Sequence, residues 1–336
     1  MVNFYVGCDI SQSKINFCLF DGSSFLFEKE IPNTLSDLKK FVLSTSNLVK
    51  DIANERQYDV IWVMEYTGIY NNLLTEVIVS HKLQACLLHS THIKNANGFD
   101  RLKNDKVDAQ KIAKYAWRFR DKLAIWSPLQ GNLQKIKTLM TERESLVKIK
   151  KQLSQRSKDY MKFIEKSTCT IINETIDPVL NEVNTAIEKL ETKIRKFINE
   201  DSVVKNTYDI LMSVPGIGEI TTITLICYTA NFTKFDTAKQ LGCYCGVVPF
   251  EQSSGIYKSK AKVSFKSNKK IKTLLHMCAL ASIRSDNIFS KFYGRKIAEG
   301  KNKMSVINAV RYKILKTGFA CVNNQTKFQS NFLYAA

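Results

Sequence analysis

Four acidic side chains are the residues of this chain whose type and spacing could do chemistry: Asp9, Glu65, Asp105 and Asp108. Clustered carboxylates repel one another, so bringing them together is costly unless a cation lies between them. Their oxygens suit Mg²⁺, with Mn²⁺ as an alternative, and a pair of such ions can clamp a phosphoryl group during an in-line displacement. The set therefore predicts metal-assisted phosphoryl transfer, provided that the fold brings its members to one place.

Each acid lies at a position where a predicted strand or helix could place it at a common site. Asp9 lies in an apolar, strand-like run at 4–10, and Glu65 ends a second run at 59–65. Asp105 and Asp108 are three residues apart at the start of a predicted helix at about 105–119, so they share one face. The other elements predicted here are strands at 15–20, 24–30 and 84–89, and helices at about 33–55 and 70–81.

The resulting order, βββαβαβα, predicts an α/β fold of the ribonuclease-H-like type, in which a mixed sheet carries acids at its strand ends. A doubly wound nucleotide-binding domain is the competing fold. It is disfavoured because the chain contains neither GxGxxG nor GxxxxGK[ST].

The charge of the chain is concentrated in its last third. The 336 residues have a formal net charge of +19. Residues 207–336 carry 19 Lys and Arg against 6 Asp and Glu, whereas residues 1–128 carry 16 against 14. This excess predicts a polyanionic partner and salt-sensitive binding. Four acidic residues that could share one site, together with a basic last third of the chain, suggest an enzyme that cuts or joins nucleic acid.

Residues 129–200 are poor in glycine and proline and predict long helices. Apolar residues recur at heptad spacing: Ile176, Leu180, Val183, Ile187, Leu190, Ile194 and Phe197. An earlier helix is predicted around Leu133–Leu146, with a turn between Asn173 and Pro178. An antiparallel hairpin within one chain and pairing with a second protomer both remain open, because the seam does not reveal its partner.

From residue 207 the chain is predicted to be mainly helical. The segment Met212–Gly218 resembles a helix-hairpin-helix element, whose glycine turn lets backbone N–H groups approach phosphate, although a plain helix–turn–helix connection fits equally well. Tyr257 and Phe265 could stack on bases, although packing is the favoured interpretation. A dense basic stretch is predicted to contact nucleic acid: Lys258, Lys260, Lys262, Lys266, Lys269, Lys270 and Lys272.

Two serines, Ser253 and Ser254, precede Gly255 and this basic stretch. A serine beside a flexible glycine in a basic loop could attack a phosphodiester, given a base or metal to activate it. Serine–glycine pairs are common in turns, so on local grounds alone a structural role in a turn is the favoured interpretation.

Three further features of the sequence limit the classes of protein to which the chain could belong. The nine cysteines are scattered without a CxxC pair, which predicts reduced, mostly buried thiols in a cytoplasmic protein. The chain contains no run of about 18 apolar residues, so no membrane span is expected. The first residues lack a cationic leader, so no signal peptide is expected.

The joint pattern resembles a known family, the transposases of insertion-sequence family 110, including its 1111 subgroup. They are also called DEDD transposases or bridge-RNA-guided recombinases, and they are related to the Piv/MooV DNA invertases. The resemblance spans nearly the whole chain in order. It is carried by Gly7-Cys8-Asp9-Ile10-Ser11, Glu65-Tyr66-Thr67-Gly68-Ile69-Tyr70, Lys103-Asn104-Asp105-Lys106-Val107-Asp108-Ala109, Val214-Pro215-Gly216-Ile217-Gly218, and Gly246-Val247-Val248-Pro249 through Ser254-Gly255.

The resemblance implies three domains. They are a RuvC-like catalytic domain at 1–128, a helical coiled-coil spacer at 129–206, and a mainly helical C-terminal transposase domain at 207–325. It also implies that the four acids hold Mg²⁺ and that a serine forms a transient covalent link to DNA. Ser254 is favoured over Ser253 because it aligns with the single serine of family members.

The family also implies partners that composition does not reveal. These are donor and target DNA, a non-coding bridge RNA that pairs with both, and further copies of the chain in a homo-oligomer, dimer or tetramer, with a site composed from different protomers. The expected location is the prokaryotic cytoplasm. Two residues depart from the family pattern: Gln12 stands where lysine is common, and Ser267 where glycine is usual.

Two alternative functions remain open at this point. A RuvC-like junction nuclease would use water instead of serine. A non-catalytic nucleic-acid-binding protein would use the acids structurally, although such a protein gains nothing from negative charge near phosphate.

Overall fold

A computed structural model describes residues 2–89, 91–93, 105–254 and 257–330, without the side chains of 105–106 and 252–260. The chain forms two compact units, Met1–Pro128 and Leu129–Ala336. The first is a mixed α/β unit and the second is largely helical.

The first unit contains a five-stranded mixed sheet in the order β3-β2-β1-β4-β5. Strand β1 pairs antiparallel with β2 and parallel with β4. The strands are β1 Val2–Ile10, β2 Lys14–Phe20, β3 Phe25–Pro32, β4 Tyr58–Glu65 and β5 Gln84–Leu88. The helices are α1 Leu35–Ala53, α2 Asn72–Ser80 and α3 Asp105–Arg118, with short 3-10 turns at Gly68–Asn71 and Arg120–Lys122. The order βββαβαβα predicted from the sequence is confirmed among the described residues.

Apolar side chains on opposite faces of the sheet build two separate cores. On the face covered by α1 and α2, the ring of Phe17 lies 4.3 Å from that of Phe41 and 6.1 Å from that of Trp62. On the face covered by α3, Val63 and Ile112 are buried together. Because side chains alternate along a strand, Asp9 on β1 belongs to the face covered by α3.

The second unit begins with a helical hairpin, α4 Leu133–Phe163 and α5 Lys166–Asn199. Its two helices run antiparallel: Arg143 Nε lies 2.7 Å from Glu191 Oε1, and Asn132 donates to the carbonyl of Phe197. The heptad residues of α5 are buried or half-buried against α4, so the seam packs within the chain.

The predicted turn between Asn173 and Pro178 is wrong. Helix α5 continues through this segment with Pro178 inside it, and the chain reverses at Ile164–Glu165 instead. Proline removes one helical hydrogen bond, but the apolar seam continues on both sides of it, and packing of that seam keeps the segment helical.

Among its described residues, the second unit contains six more helices and one β-hairpin. The helices are α6 Ser202–Met212, α7 Glu219–Tyr228, α8 Ala238–Tyr244, α9 Lys269–Ser282, α10 Ile288–Ala298 and α11 Lys303–Asn323. The hairpin consists of β6 Pro249–Ser254 and β7 Tyr257–Val263. The prediction of a basic loop at this point needs correction. Lysines at 258, 260 and 262 alternate with other residues, which is the two-residue period of a strand.

All nine cysteines are free thiols, and eight of them are buried. Within the described ranges, none of the helices combines the length and the apolar character that crossing a membrane requires.

Candidate active site and nucleic-acid-binding surface

Asp9 and Glu65 lie side by side at one edge of the sheet. Strands β1 and β4 are parallel, and Cys8 pairs with Met64, so the next residue on each strand is one of the two acids. Adjacent strands lie about 4.8 Å apart, which brings both carboxylates to one site on the face covered by α3. Both side chains are half-buried.

Asn71 fixes the backbone that follows Glu65. This buried amide donates to the carbonyl oxygen of Glu65 at 2.9 Å and accepts from the N–H of Thr67 at 2.6 Å. Gly68 in the same turn has φ +75°, a conformation that favours glycine. The turn therefore holds the end of β4, and Glu65 with it, in one orientation.

Helix α3 places Asp108 at the same end of the sheet as Asp9. The helix crosses β1 directly over Gly7, where an added Cβ would lie 2.7 Å from the backbone nitrogen of Ala113. At the far end of α3, Trp117 packs edge-on against Phe20, at the opposite end of the sheet from Asp9. The start of α3, with Asp108, therefore lies near Asp9. Asp108 is half-buried, with Lys111 Nζ 3.5 Å from its Oδ1.

Asp105 begins α3, but its side chain and residues 103 and 104 of the third predicted motif lie outside the described residues. Among the described side chains, no group of three or more His, Cys, Asp or Glu residues is arranged to hold a metal ion. The structure thus brings Asp9 and Glu65 together and turns Asp108 toward the same end of the sheet.

Asn16 is a further candidate site residue, which the sequence did not indicate. It lies directly opposite Asp9 in the β1–β2 register, so the two side chains share a face. Its exposure is 4%, and its Oδ1 accepts no hydrogen bond from any described residue. An unpaired buried amide oxygen costs free energy, about 1–3 kcal/mol. The sequence signal was a lone asparagine inside the apolar strand Lys-Ile-Asn-Phe-Cys-Leu-Phe.

The donor atoms at this edge fit a hard divalent cation. Asp9, Glu65 and Asn16 offer oxygen only, and oxygen ligands suit Mg²⁺ or Mn²⁺ better than Zn²⁺. The Oδ1 of Asn16 has no hydrogen-bond donor among the described residues. Such an ion, or water bound to it, would provide that oxygen with a partner.

Ser253 and Ser254 lie at the end of β6, paired with Lys258 and Tyr257 respectively. Their side chains, and Gly255, lie outside what the structure describes. Both serines therefore lie at the last paired positions of β6 in the hairpin formed by β6 and β7, which we call the basic hairpin.

The predicted basic residues divide by exposure. Lys262, Lys266 and Lys269 are exposed, whereas Lys270 and Lys272 are half-buried. The side chains of Lys258 and Lys260 on β7 fall outside the described set. Beyond the hairpin, Phe265 is 82% exposed, which leaves its ring open for stacking.

The glycine turn between α6 and α7 is closely packed. Gly216 has φ +88°, and a Cβ there would lie 2.6 Å from the carbonyl oxygen of Cys278 on α9. Glu219, in the first turn of α7, bonds to Arg195 at 2.7 Å through both carboxylate oxygens. The positive end of α7 thus already faces a carboxylate, which favours the plain helix–turn–helix connection over phosphate binding.

Comparison with family models links both units to transposases. The family described as "Transposase IS116/IS110/IS902 family" matches residues 208–294. A second model, DEDD_Tnp_IS110, described as "Transposase", matches residues 6–165. Together the two matches cover most of the chain and contain Asp9, Glu65, Asp108 and Ser254.

Two individual proteins are also similar to this chain over more than half of their length. The pilin gene-inverting protein of Moraxella bovis is 26% identical over 272 residues, which are 79% of this chain and 81% of that protein. The transposase for insertion sequence element IS1111A of Coxiella burnetii is 25% identical over 203 residues, 54% of this chain and 55% of that protein.

Among solved structures, T. thermophilus RuvC in complex with a Holliday junction substrate matches with a TM-score of 0.27 and 10% identity. That match covers 37% of this chain and 99% of RuvC.

Proposed function

We propose that this chain, which belongs to the IS110 family of transposases and is therefore a DNA recombinase, cuts and rejoins DNA through a covalent serine–DNA intermediate. The observation that carries the proposal is the placement of Asp9 and Glu65 on neighbouring parallel strands, with the start of α3 at the same end of the sheet. Acids held together in this way are costly for a protein that only binds nucleic acid.

The N-terminal unit is, in this proposal, a RuvC-like nuclease domain. Support comes from the mixed sheet with order β3-β2-β1-β4-β5, from the helix that crosses β1, and from acids at the strand ends. The boundaries of a coiled-coil spacer at 129–206 and a transposase domain at 207–325 belong to the same proposal.

Asp9, Glu65, Asp105 and Asp108 would hold Mg²⁺, or Mn²⁺ in its place. When bound, the ion would supply Lewis-acid stabilisation of the charge that builds up on the phosphate oxygens. The carboxylates position the site, and Asn71 and Gly7 keep the strand end and the helix in place around it.

Ser254 is the proposed nucleophile. Its Oγ forms a bond to phosphorus while the bond from phosphorus to the leaving DNA oxygen breaks, and that oxygen takes up a proton as the serine loses one. Attack by a DNA hydroxyl reverses these changes and rejoins the strands without an external energy source. Ser253 is the alternative nucleophile, because it lies beside Ser254 on β6.

The basic C-terminal third would hold the backbones of donor DNA, target DNA and a bridge RNA, and the chain would act as a homo-oligomer in the prokaryotic cytoplasm. The excess of 19 basic over 6 acidic residues in 207–336 supports a polyanionic partner. The bridge RNA and the oligomer are supported by family membership alone.

The test is to trap the intermediate on labelled DNA that carries the element ends, with its bridge RNA and Mg²⁺ present. The wild-type chain should give a protein–DNA adduct that survives denaturation, Ser254→Ala should give none, and Ser253→Ala should retain it. Asp9→Asn should abolish cleavage without lowering thermal stability.

Other outcomes would favour the two rivals. Hydrolysed ends without any adduct would indicate a nuclease that uses water. Nucleic-acid binding without any Mg²⁺-dependent cleavage would indicate a non-catalytic binding protein.

A further inference from the structure

Three lysines from separate segments of the second unit converge on two tyrosine rings. Lys270 Nζ lies 5.1 Å and Lys137 Nζ 6.0 Å from the centroid of the Tyr228 ring, and Lys234 Nζ lies 5.8 Å from that of Tyr244. We call Lys137, Lys234 and Lys270 the three-lysine cluster. Its members come from α4, from the loop after α7, and from the first turn of α9.

The loop that carries Lys234 has an unusual backbone. Three consecutive non-glycine residues, Ala230, Asn231 and Phe232, have φ of 49°, 55° and 65°. Left-handed conformations at such residues cost free energy and persist only where the surroundings impose them. Here the fully buried Thr229 accepts from the N–H of Phe232 at 2.9 Å, and its carbonyl accepts from the N–H of Lys234 at 3.1 Å.

The side of the cluster formed by α9 is equally constrained. Asn268 caps α9 by accepting from the N–H of Ile271, and it donates to Tyr244 Oη at 3.0 Å. The ring below Lys234 is thereby tied to the start of the helix that carries Lys270. The first turn of α9 contains no acidic residue, so its partial positive charge adds to that of the lysines.

The ammonium groups of the cluster repel one another. Burial lowers the pKa of Lys137, and the nearby Lys270 lowers it further. Partial burial likewise lowers the pKa of Lys234, and Lys137 adds to that shift. Glu144 pairs with Lys270, so one carboxylate offsets part of the positive charge of the cluster.

An anion placed between these groups would relieve the repulsion, and the position of the cluster indicates which anion. Strand β7 of the basic hairpin ends at Val263, and α9 begins at Lys269. Between them lie the exposed side chains of Phe265 and Lys266. A nucleic-acid strand on the hairpin could therefore continue along this connection toward the cluster.

We propose that Lys137, Lys234 and Lys270 form a phosphate-binding site that grips one backbone phosphate of a nucleic-acid strand leaving the basic hairpin. Ammonium groups bind phosphate as point charges, and the two tyrosine rings hold the lysine stems in place. Lys137 and Lys234 lie outside the basic stretch that the sequence indicated. The site deepens the proposed function, because it assumes that the ligand is nucleic acid.

The test measures binding of the full-length chain to three labelled probes of one sequence: single-stranded DNA, the matching duplex, and single-stranded RNA. Fluorescence anisotropy at several KCl concentrations gives the slope of log K against log salt. Lys137→Gln and Lys234→Gln should each weaken binding and reduce the magnitude of that slope by up to about 1 for the probe that occupies the site. The affected probe identifies the DNA or RNA source of the phosphate.

Lys135→Gln is the matched control. Lys135 Nζ also lies over a ring, 5.2 Å from the centroid of Phe197, and it is an exposed lysine of α4 outside the basic C-terminal third. Its replacement should leave the slope unchanged. Lys137→Arg keeps the charge and should retain most of the binding, which separates loss of charge from loss of fold.

Unchanged affinity and slope for both glutamine variants with all three probes would overturn the site. That result is distinguishable from failure of the proposed function. If wild-type protein binds and forms the serine adduct while the glutamine variants behave identically, only the phosphate site is wrong. If wild-type protein binds none of the probes, both proposals fail.

Discussion

Gly7 on β1 lies against the backbone of Ala109 on α3, so closely that even a methyl group at residue 7 would overlap the carbonyl oxygen of Ala109. The helix that carries Asp108 therefore rests on the strand that carries Asp9. Glycine at this position sets the spacing between two of the proposed metal ligands.

Gly7→Ala should displace α3 from the sheet. Overpacking of this kind costs about 1–3 kcal/mol, so the thermal midpoint should fall. DNA cleavage should fall much further than the loss of folded protein explains, because the carboxylates move apart. The measurement is cleavage per folded molecule, with the folded fraction taken from circular dichroism at the assay temperature.

Gly294→Ala provides the control for this prediction. A Cβ at Gly294 on α10 meets nothing within 4 Å, and alanine favours helix over glycine by about 1 kcal/mol. This variant should be as active as wild type and no less stable. Full activity in Gly7→Ala would show that the contact does not position the site.

Asn16 and Thr45 allow a site role to be separated from a packing role. Both are buried side chains with an oxygen that has no partner among the described residues, but Thr45 lies on α1, on the opposite face of the sheet from Asp9. Asn16→Leu should remove an unsatisfied oxygen at little cost in stability. It should also raise the Mg²⁺ concentration needed for cleavage by about 10- to 100-fold, as loss of a supporting ligand does.

Thr45→Val is the nearly isosteric comparison. It should keep or slightly raise the thermal midpoint, and the Mg²⁺ dependence of cleavage should not change. Identical Mg²⁺ titrations for Asn16→Leu and wild type would show that the orphaned oxygen has no part in metal binding.

The sequence predicted the elements of the first unit because each has a clear hydrophobic period bounded by polar turns. Asp9 and Glu65 could be placed at one edge by strand order alone. Asn16 could not, because its relation to Asp9 depends on the antiparallel register of β1 and β2, which no local pattern reveals.

The second unit shows where local rules fail. Pro178 suggested a turn, but the apolar seam of α5 overrode the lost hydrogen bond, and the real reversal at Ile164–Glu165 contains neither glycine nor proline. Lys137 and Lys234 are nearly 100 residues apart in the sequence, so the site proposed for them depends on tertiary packing that no local pattern reveals. Charge composition predicts that the chain binds a polyanion, but the position of the binding surface does not follow from composition.

The ion pair between Glu219 and Arg195 makes the stability of the second unit depend on pH. Hydrogen bonds from Arg195, on α5, lower the pKa of Glu219 on α7, although partial burial opposes the shift. A carboxyl whose folded-state pKa lies below its unfolded value stabilises the fold above the unfolded value, near 4.5. That contribution is lost as the pH falls through the folded pKa.

Glu219→Gln should therefore lower the thermal midpoint of the second unit at pH 7. The loss corresponds to about 1 kcal/mol, a modest figure because Arg195 is 49% exposed and solvent screens the pair. The difference between variant and wild type should shrink as the pH falls below about 4.5, since protonation of Glu219 makes the wild type resemble the variant. Scanning calorimetry at pH 7, 5 and 3.5 would measure it.

Glu188→Gln removes an exposed carboxylate from α5 and should change the midpoint little at any of these pH values. A Glu219→Gln deficit that stays constant from pH 7 to 3.5 would mean that the side chain stabilises the α5–α7 contact by packing and not by charge. In that case Arg195→Met, which keeps the length of the side chain without its charge, should be as stable as wild type. If the ion pair holds the helices, Arg195→Met should instead reproduce the loss of Glu219→Gln at pH 7, and the double variant should be little worse than either single one.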